Sequence, residues 1–412
     1  MISIVHSQIQ SAAFSAVRAF LGSVPGSSYP AASRFFRRTR GGGFSRVLDS
    51  IRLWRYLVIN SIPLVPGLSA CSANLATFAV LLWLPFASEV RAEADPLRWT
   101  NPILPQRADP HVTFHSDGYY YLTATVPKYD LIELRCARTL GELSSSEPKV
   151  IWRKHDHGPM GAHIWAPELH FIDGKWYIYF TAGSAENKWA IRPYVLEGTG
   201  ANPLEAIWVE KGPLKLGWES FSLDGTTFAH RGTRYFVWAQ AEHGVKGTNI
   251  YISRMDTPLS LTGKITLLAR PDHEWERRGP AVCEAPAVLI KNGRVFITYS
   301  ASATDANYCL GLLYADENTD LLDSASWSKL PEPVFKTDPA VSVFGPGHNS
   351  FTTTPDGLTD ILVYHARDYE KIQGNSLDNP DRSIRAQAIR WRADGFPEFS
   401  PPAADGAYQI QK

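Results

Sequence analysis

Five segments of the chain share one pattern of hydrophobic and polar positions, in which a glycine turn is followed by a run of alternating aromatic and β-branched residues. A turn of this kind next to a strand-like run is a strong signal for a β-hairpin. The turns recur at nearly even intervals, and their glycines are Gly118, Gly174, Gly232, Gly293 and Gly357. The pattern therefore predicts five antiparallel units of similar size.

The repeat predicts the fold class. Four-stranded propeller blades span about 40 to 50 residues, and longer loops account for the wider spacing in this chain. Helical periodicity is nearly absent, and the stretches between the turns are rich in Gly, Pro and Trp. We therefore expect an all-β fold, a five-bladed β-propeller formed by residues 93–412. A β-sandwich with coincidental turns would not predict so even a spacing.

Polar residues precede each turn at related positions. Asp109, Glu284 and His348 each lie nine residues before their glycine, Asp224 lies eight before and Glu168 six before. Equivalent positions on the innermost strands of a propeller converge near its axis. The repeat thus predicts that the first four of these residues meet in one pocket, whereas the different offset of Glu168 leaves it open to a structural or a functional interpretation.

Carboxyl groups confined in one pocket can divide the work of an acid and a base. Their mutual repulsion raises at least one pKa and separates their roles. One protonated acid beside one ionised base is what cleavage of a glycosidic bond requires. Taken singly, each of these residues is more simply interpreted as a turn, cap or loop residue. Their recurrence at one phase of the repeat is what favours a catalytic role.

Charge and composition narrow the class of partner. The chain has 41 Lys and Arg against 41 Asp and Glu, so no net field draws it to nucleic acid or to an anionic membrane. Aromatic residues make up 12% of the chain, and they favour strands and stack on sugar rings. A neutral polysaccharide fits this surface. Three of the four cysteines follow the leader and cannot all pair within the chain, and none has zinc-site spacing.

Residues 1–92 are predicted to be a leader with a secretory signal-like segment. The region up to residue 56 is rich in Arg, and Leu57 to Ser88 carries no charge. An apolar run follows Asn74, and Val90-Arg91-Ala92 offers a small residue at a cleavage point. Because Met1 lies far upstream, we favour an internal start over a long disordered leader. The prediction is a secreted protein, with a membrane-anchored enzyme as the alternative.

Several motifs in the same order resemble glycoside hydrolase family 43, from about Asn101 to about Ala403. They are RADPHV (107–112), HIWAPELHFIDGKWYIYFTAG (163–183), SFSLDGTTF (220–228), CEAPAVL (283–289), SASATDANYCLGLLY (300–314) and GPGHNSF (345–351). The resemblance implies a five-bladed propeller and an inverting mechanism. It implies that Asp109 is the general base, that Asp224 orients and modulates the acid, and that Glu284 is the general acid.

The same resemblance implies further roles. His348 matches a position associated with an axial metal ion or its water shell, often calcium, although it could equally serve as a hydrogen-bond partner. Trp165 resembles a pocket-wall residue and Arg367 a substrate contact, and Glu168 and His348 are also candidate substrate contacts. No cofactor is expected for the chemistry itself, and we expect a monomer.

The expected activity is release of L-arabinofuranose from arabinan or an arabinose-substituted polysaccharide such as arabinoxylan, by exo action on α-1,5 links. A β-xylosidase or an endo-arabinanase on the same scaffold is the alternative within the class, since loop shape separates exo from endo action. A lectin-like propeller that only binds sugar would have no need of three acids at these positions. A purely structural propeller would leave the same polar cluster uncompensated.

Overall fold

The computed structural model describes residue 95 and residues 97–410. Within that range the regular elements are β-strands and short 3₁₀ turns. The described part contains no helix long and apolar enough to cross a membrane. The predicted leader, residues 1–92, lies outside the described residues.

Five antiparallel sheets follow one another along the chain and form the blades of a β-propeller, which confirms the predicted fold class. In blades I to III the four strands pair in chain order. These strands are, for blade I, β2 (Ala108–Phe114), β3 (Tyr120–Thr125), β4 (Leu131–Ala137) and β5 (Lys149–Arg153); for blade II, β6 (Ala162–Ile172), β7 (Lys175–Gly183), β8 (Arg192–Thr199) and β9 (Ile207–Pro213); and for blade III, β10 (Ser222–His230), β11 (Thr233–Gln240), β12 (Asn249–Thr257) and β13 (Ser260–Ala269).

Blades IV and V complete the ring, and the first strands of neighbouring blades contact one another around it. Two further strand pairs lie outside the blades, β1 (Arg98–Asn101) with β23 (Gly406–Gln409) and β21 (Arg390–Trp391) with β22 (Pro397–Glu398). The blade strands are, for blade IV, β14 (Cys283–Lys291), β15 (Arg294–Ala301), β16 (Cys309–Asp316) and β17 (Ser328–Lys329), and for blade V, β18 (Phe344–Thr353), β19 (Asp360–Arg367) and β20 (Ser383–Ala388).

The second strand of each blade is buried along almost its whole length, because both faces of a blade pack against other blades. Successive side chains in a strand point to opposite faces. In β7, for example, Trp176 and Ile178 pack against blade I, whereas Tyr177 and Tyr179 pack against blade III. Alternation therefore decides which neighbour a side chain meets, and one hydrophobic cluster lies between each pair of adjacent blades.

The predicted glycine turns join the first two strands of each blade. Asp173 and Gly174 have φ of 49° and 82°, as a type I′ turn requires. The turns at Arg231-Gly232 and Asn292-Gly293 have the same signs of φ. A glycine in the second position adopts this left-handed conformation without steric cost, which explains why the turn is the part of the repeat most visible in the sequence.

A β-bulge interrupts the first strand of every blade at the same place. The residue at each bulge has a left-handed conformation with φ between 44° and 54°, although none is a glycine. Such a conformation costs energy and persists only when surrounding contacts enforce it. The five bulge residues are Asp109, Ala166, Asp224, Ala285 and His348.

The backbone N–H of each bulge residue donates a hydrogen bond that reaches the preceding blade. The N–H of Ala166 donates to Oγ1 of Thr125 at 2.7 Å. The N–H of Asp109 donates to Nδ1 of His365 at 3.0 Å, and this bond joins blade I to blade V. The remaining bonds run from Asp224 to Oγ1 of Thr181 (3.2 Å), from His348 to Oγ of Ser300 (2.8 Å), and from Ala285 to Oδ2 of Asp224 (3.0 Å).

The N-terminal segment of the described domain completes blade V. The N–H of Ile103 donates to the carbonyl oxygen of Ile384 in β20 at 2.7 Å. The buried side chain of Asn101 accepts from the N–H of Ala386 and donates to its carbonyl oxygen, both at 2.9 Å. The first residues of the described domain are thereby held against its last blade.

We predict that Asn101→Ala lowers the free energy of unfolding by about 1–3 kcal/mol, because it leaves the buried N–H of Ala386 without a partner. Urea denaturation followed by tryptophan fluorescence measures the change. Asn318→Ala, at an exposed turn, is the matched control and should change stability by no more than about 0.5 kcal/mol. Equal effects of the two substitutions would contradict the closure role of Asn101.

Candidate active site

A cavity of about 1110 Å³ opens at the propeller axis, on the face where the bulges lie. Four of the sequence-predicted residues line it, and so does the predicted wall residue Trp165. The polar residues of the lining that matter for the site are Asp109, Asp224, Glu284, His348, Arg382 and Tyr308. The predicted convergence of three acids and one histidine is thus what the fold produces.

The bulges explain which side chains reach this cavity. Asp109, Asp224 and His348 are all bulge residues, whereas Glu284 comes one residue before a bulge and is equivalent to Trp165 of blade II. Counting back from the turn glycines had placed Glu284 in phase with Asp109. That alignment is wrong by one residue, because the segment between bulge and turn is one residue longer in blades I and V than in the other three.

Asp109 is held as a carboxylate. Nδ1 of His348 and the guanidinium of Arg382 both lie 3.2 Å from its Oδ1. Burial alone would raise the pKa of Asp109, but the charges of His348 and Arg382 hold it well below its ordinary value. His365 contributes little as a donor, because its Nδ1 accepts the N–H of Asp109 and its ring is neutral, with burial lowering its pKa to about 3.

Asp224 and Glu284, the other two acids of the pocket, have raised pKa values. Burial raises both pKa values, and the repulsion between neighbouring carboxylates adds to the effect, with the pKa of Asp224 raised to about 8. The hydroxyl of Tyr308 donates to Oε1 of Glu284 at 2.7 Å, and the N–H of Ala285 donates to Oδ2 of Asp224. At neutral pH the pair therefore retains a proton, and a proton bound by two interacting carboxyls belongs to both rather than to either one.

His348 supplies positive charge to the pocket. Burial alone would lower its pKa, but the carboxylates of Asp109 and Asp224 raise it to about 9. The imidazole is therefore protonated at neutral pH and donates to Asp109. The pocket thus combines an ionised carboxylate, a shared proton and two cations within one buried site.

Besides His365, sequence reasoning missed Arg382 and Tyr308, whose side chains contact the acids. Arg382, just before β20, is buried, and it bonds Asp109 and the hydroxyl of Tyr129. Tyr308 bonds Glu284, and its ring stacks on His365 at a centroid distance of 5.7 Å. Tyr308 lies within the motif at 300–314 and could have been singled out there, whereas nothing near Arg382 in the sequence distinguishes it from other arginines.

Glu168 does not line the pocket, although it was a candidate substrate contact. It lies two residues after a bulge, in the layer that also contains His111, and its Oε2 lies 2.8 Å from Nε2 of His170. Among the described residues, these three side chains are the group close enough to share a metal ion. The N–H of Leu169 donates to Nδ1 of His111 at 3.3 Å, however, so the proton of neutral His111 lies on Nε2, which faces Glu168. Only the contact between His170 and Glu168 is a hydrogen bond, because Nε2 of His111 lies 3.9 Å from Oε2 of Glu168.

Arg367 also differs from its expected role. It is buried and faces the connection between β19 and β20, residues 368–382, which we call the strap. Its guanidinium donates to Oδ1 of Asn379 at 2.8 Å, to the carbonyl oxygen of Ser376 at 2.9 Å and to that of Thr304 at 2.8 Å. Arg367 therefore fixes the strap to blade IV instead of contacting the pocket.

An aromatic wall forms one side of the pocket. The rings of Trp165 and His163 are stacked at a centroid distance of 4.2 Å, and Trp189 meets both edge-on. Trp189 remains 49% exposed while lining the cavity. A ring that is anchored on one side and open on the other is suited to stacking on a sugar.

The resemblance had implied an axial metal ion or its water shell beside His348, and the residues there do not by themselves supply the ligands of a calcium ion. Calcium takes about six to eight oxygen ligands. His348 offers a nitrogen, and its Nδ1 is already paired with Asp109. Within the described residues, no set of three close His, Cys, Asp or Glu donors includes it. The side-chain contact that the structure gives His348 is its pairing with Asp109.

Comparison with known proteins agrees with this geometry. The sequence is 51% identical over 342 residues to an extracellular exo-α-(1→5)-L-arabinofuranosidase of Streptomyces avermitilis, covering 82% of this chain and 71% of the relative. It is 47% identical to α-L-arabinofuranosidase 43 of Humicola insolens, with coverage of 82% and 70%. The crystal structure of an α-L-arabinofuranosidase from Lactobacillus brevis superposes with a TM-score of 0.72 and 46% identity, covering 74% of this chain and 98% of that one.

The family is defined by the match along the chain itself. Residues 99–397, which span all five blades, match the model of glycosyl hydrolases family 43. The matched region contains every residue that lines the acid-rich pocket. This chain therefore belongs to glycoside hydrolase family 43 and is a glycoside hydrolase.

Proposed function

We propose that the enzyme releases single L-arabinofuranosyl units from the ends of α-1,5-linked arabinan, with inversion of configuration. The observation that carries the proposal is the unequal placement of charge in the pocket: two cations lie against Asp109, whereas Asp224 and Glu284 are bonded by a backbone N–H and a tyrosine hydroxyl and have raised pKa values. An ionised base and a protonated acid on one site are what an inverting glycosidase needs. The names of the relatives support the sugar and the linkage.

Asp109 is assigned as the general base. Its Oδ1 makes the contacts with His348 and Arg382, which leaves Oδ2 to accept a proton from water. As that proton moves to Asp109, the water oxygen bonds to the anomeric carbon and the glycosidic bond breaks. Arg382 and His348 keep Asp109 ionised beforehand and keep its carboxylate oriented.

Glu284 is assigned as the general acid and Asp224 as the residue that orients it. The departing glycosidic oxygen takes the proton held by the pair, and Glu284 is left ionised. Tyr308 holds one oxygen of Glu284, so the proton is delivered from the other. Solvent then returns a proton to the pair and removes one from Asp109. Side-chain carboxyls and water complete this reaction, which calls for no cofactor.

Exo action is supported by the strap. Its residues Asn375, Ser376 and Leu377 line one side of the cavity, and its anchors reach two other blades. Arg367 ties it to Thr304 of blade IV, and the hydroxyl of Tyr129 of blade I bonds the carbonyl oxygen of Leu377. A wall fixed in this way blocks one direction along a polymer, which favours a pocket that receives a chain end over an open groove.

We also propose that the enzyme acts outside the cell. The relative from Streptomyces avermitilis is named an extracellular enzyme. Together with the signal-like segment in residues 57–92, this supports export of the catalytic domain, residues 93–412. Any calcium ion beside His348 would draw most of its ligands from water, and the proposed enzyme acts as a monomer on arabinan or arabinoxylan side chains.

The test of the function is product analysis with debranched α-1,5-arabinan and, separately, xylo-oligosaccharides. We expect free arabinose as the early product, and rapid NMR should detect the β-anomer first if the reaction inverts. A ladder of arabino-oligosaccharides would indicate endo action, and release of xylose would indicate the xylosidase branch. Binding without any product would favour a lectin-like propeller.

Two amide substitutions separate the acid from the base. We predict that Glu284→Gln lowers kcat on arabinan by about 10²–10⁴-fold, while an aryl arabinofuranoside with a good leaving group retains much more activity. Asp109→Asn should lose activity on both substrates, because a good leaving group does not remove the need for an activated water. Glu219→Gln, at an exposed position, is the control. Appreciable turnover of the aryl substrate by Asp109→Asn would refute the base assignment.

The pH dependence of kcat/KM reports the free enzyme. The acid limb should reflect protonation of Asp109, below the ordinary range of an aspartate, and the alkaline limb should reflect loss of the shared proton, near the pKa of about 8 of Asp224. We predict that His348→Asn moves the acid limb up by about 1–3 pH units, since a nearby positive charge lowers a carboxyl pKa by that amount. His157→Asn, an exposed control, should leave both limbs unchanged, and an unmoved acid limb in His348→Asn would contradict the pairing.

A further inference from the structure

The inter-blade hydrogen bonds from the bulges follow a rule with one exception. In every blade, the residue before the bulge pairs with one position on the second strand. In four blades the side chain at that position accepts the N–H of the next bulge residue. The four acceptors are Thr125, Thr181, Ser300 and His365.

Blade III has Ala239 at this position, paired with Leu223. Like the four acceptors, Ala239 faces the next blade, where it lies in the hydrophobic cluster between blades III and IV. A methyl group cannot accept a hydrogen bond. The N–H that this position would otherwise serve is that of Ala285, and it donates to Oδ2 of Asp224 at 3.0 Å instead.

We propose that Ala239 is a positioning residue for catalysis: by withholding an acceptor, it leaves the N–H of Ala285 free to bind and orient the carboxylate of Asp224. The inference rests on the proposed function, in which Asp224 orients Glu284. The fold would gain one more regular inter-blade bond from a hydroxyl at this position. The active site would lose the backbone donor that holds Asp224.

The bond has a definite electrostatic consequence. An N–H that donates to a carboxylate favours its ionised form, and the bond from Ala285 lowers the pKa of Asp224 against the effect of burial. Asp224 shares a proton with Glu284, so stabilising the ionised form of Asp224 moves that proton towards Glu284. Loss of the bond would leave more of the proton on Asp224 and less on Glu284, the residue assigned as the general acid.

The equivalent position of another blade indicates that a hydroxyl can be accommodated at position 239. Ser300 occupies the same position in blade IV, is buried, and accepts the N–H of His348 at 2.8 Å. Ala239→Ser therefore places a hydroxyl where the fold already accommodates one in a neighbouring blade. We expect that hydroxyl to take the N–H of Ala285 from Asp224.

We expect Ala239→Ser to lower kcat on α-1,5-arabinan by about 10- to 100-fold, the value of a hydrogen bond to a charged group, with little change in KM. Activity on an aryl arabinofuranoside with a good leaving group should fall less. The alkaline limb of the pH profile should move to higher pH, because the pair holds its proton more tightly. Thermal unfolding should show a folded protein at least as stable as the control variant.

Matched variants separate hydrogen bonding from volume. Ala239→Thr and Ala239→Val introduce side chains of the same shape, and we expect the Thr variant to show the acid-specific defect and the alkaline shift, which the Val variant lacks. Ala124→Ser, next to the equivalent position in blade I, controls for burying a hydroxyl on a second strand. Equal losses in the Thr and Val variants, or an unchanged pH profile in Ala239→Ser, would overturn the inference. An inactive wild-type enzyme would instead refute the proposed function.

Discussion

The hydrogen bond from each bulge residue to the preceding blade is the interaction on which the rest of this structure depends. It compensates a left-handed conformation that a non-glycine residue adopts only under constraint. The bulge in turn bends the first strand, so that side chains which would otherwise alternate along it are re-aimed into the axial cavity. Asp109, Asp224 and His348 reach the pocket because each occupies this one strained position. The hydrogen bonds that join the blades thus also hold the bulges that place these side chains in the site.

The chemistry of the pocket follows from unequal distribution of charge among buried acids. All three carboxyls lose hydration, which by itself raises each pKa. Asp109 escapes this effect because His348 and Arg382 lie against one of its oxygens, whereas Asp224 and Glu284 have a tyrosine hydroxyl and a backbone N–H instead of a direct cation. One fold therefore presents a base and an acid at the same pH. The strap contributes twice, because it carries Arg382 to Asp109 and also forms a wall of the cavity.

Two candidate residues, Glu168 and Arg367, do not line the pocket because of their positions along their strands. Glu168 lies two residues beyond its bulge, in the layer of His111, so the segment 165–168 contributes Trp165 to the pocket lining but not Glu168. Arg367 lies at the end of a buried strand and turns towards the strap. Neither outcome could be read from the turn spacing, because a shift of one residue moves a side chain to the opposite face of a strand.

The sequence by itself determined the five-fold repeat, the all-β class and three of the acids, because glycine turns and strand-like runs are local signals that survive in a linear reading. It also placed Trp165 and His348 at the pocket. Only the tertiary structure brought in Arg382, separated from Asp109 by most of the domain, and only it distinguished Ala239 from its four counterparts. The role of Arg382 depends on a contact between residues that are distant in the chain. The role of Ala239 depends on the lack of a hydrogen-bond acceptor in its side chain. A local sequence pattern carries no information about these two residues, since the groups that they face in other blades are fixed only when the ring closes.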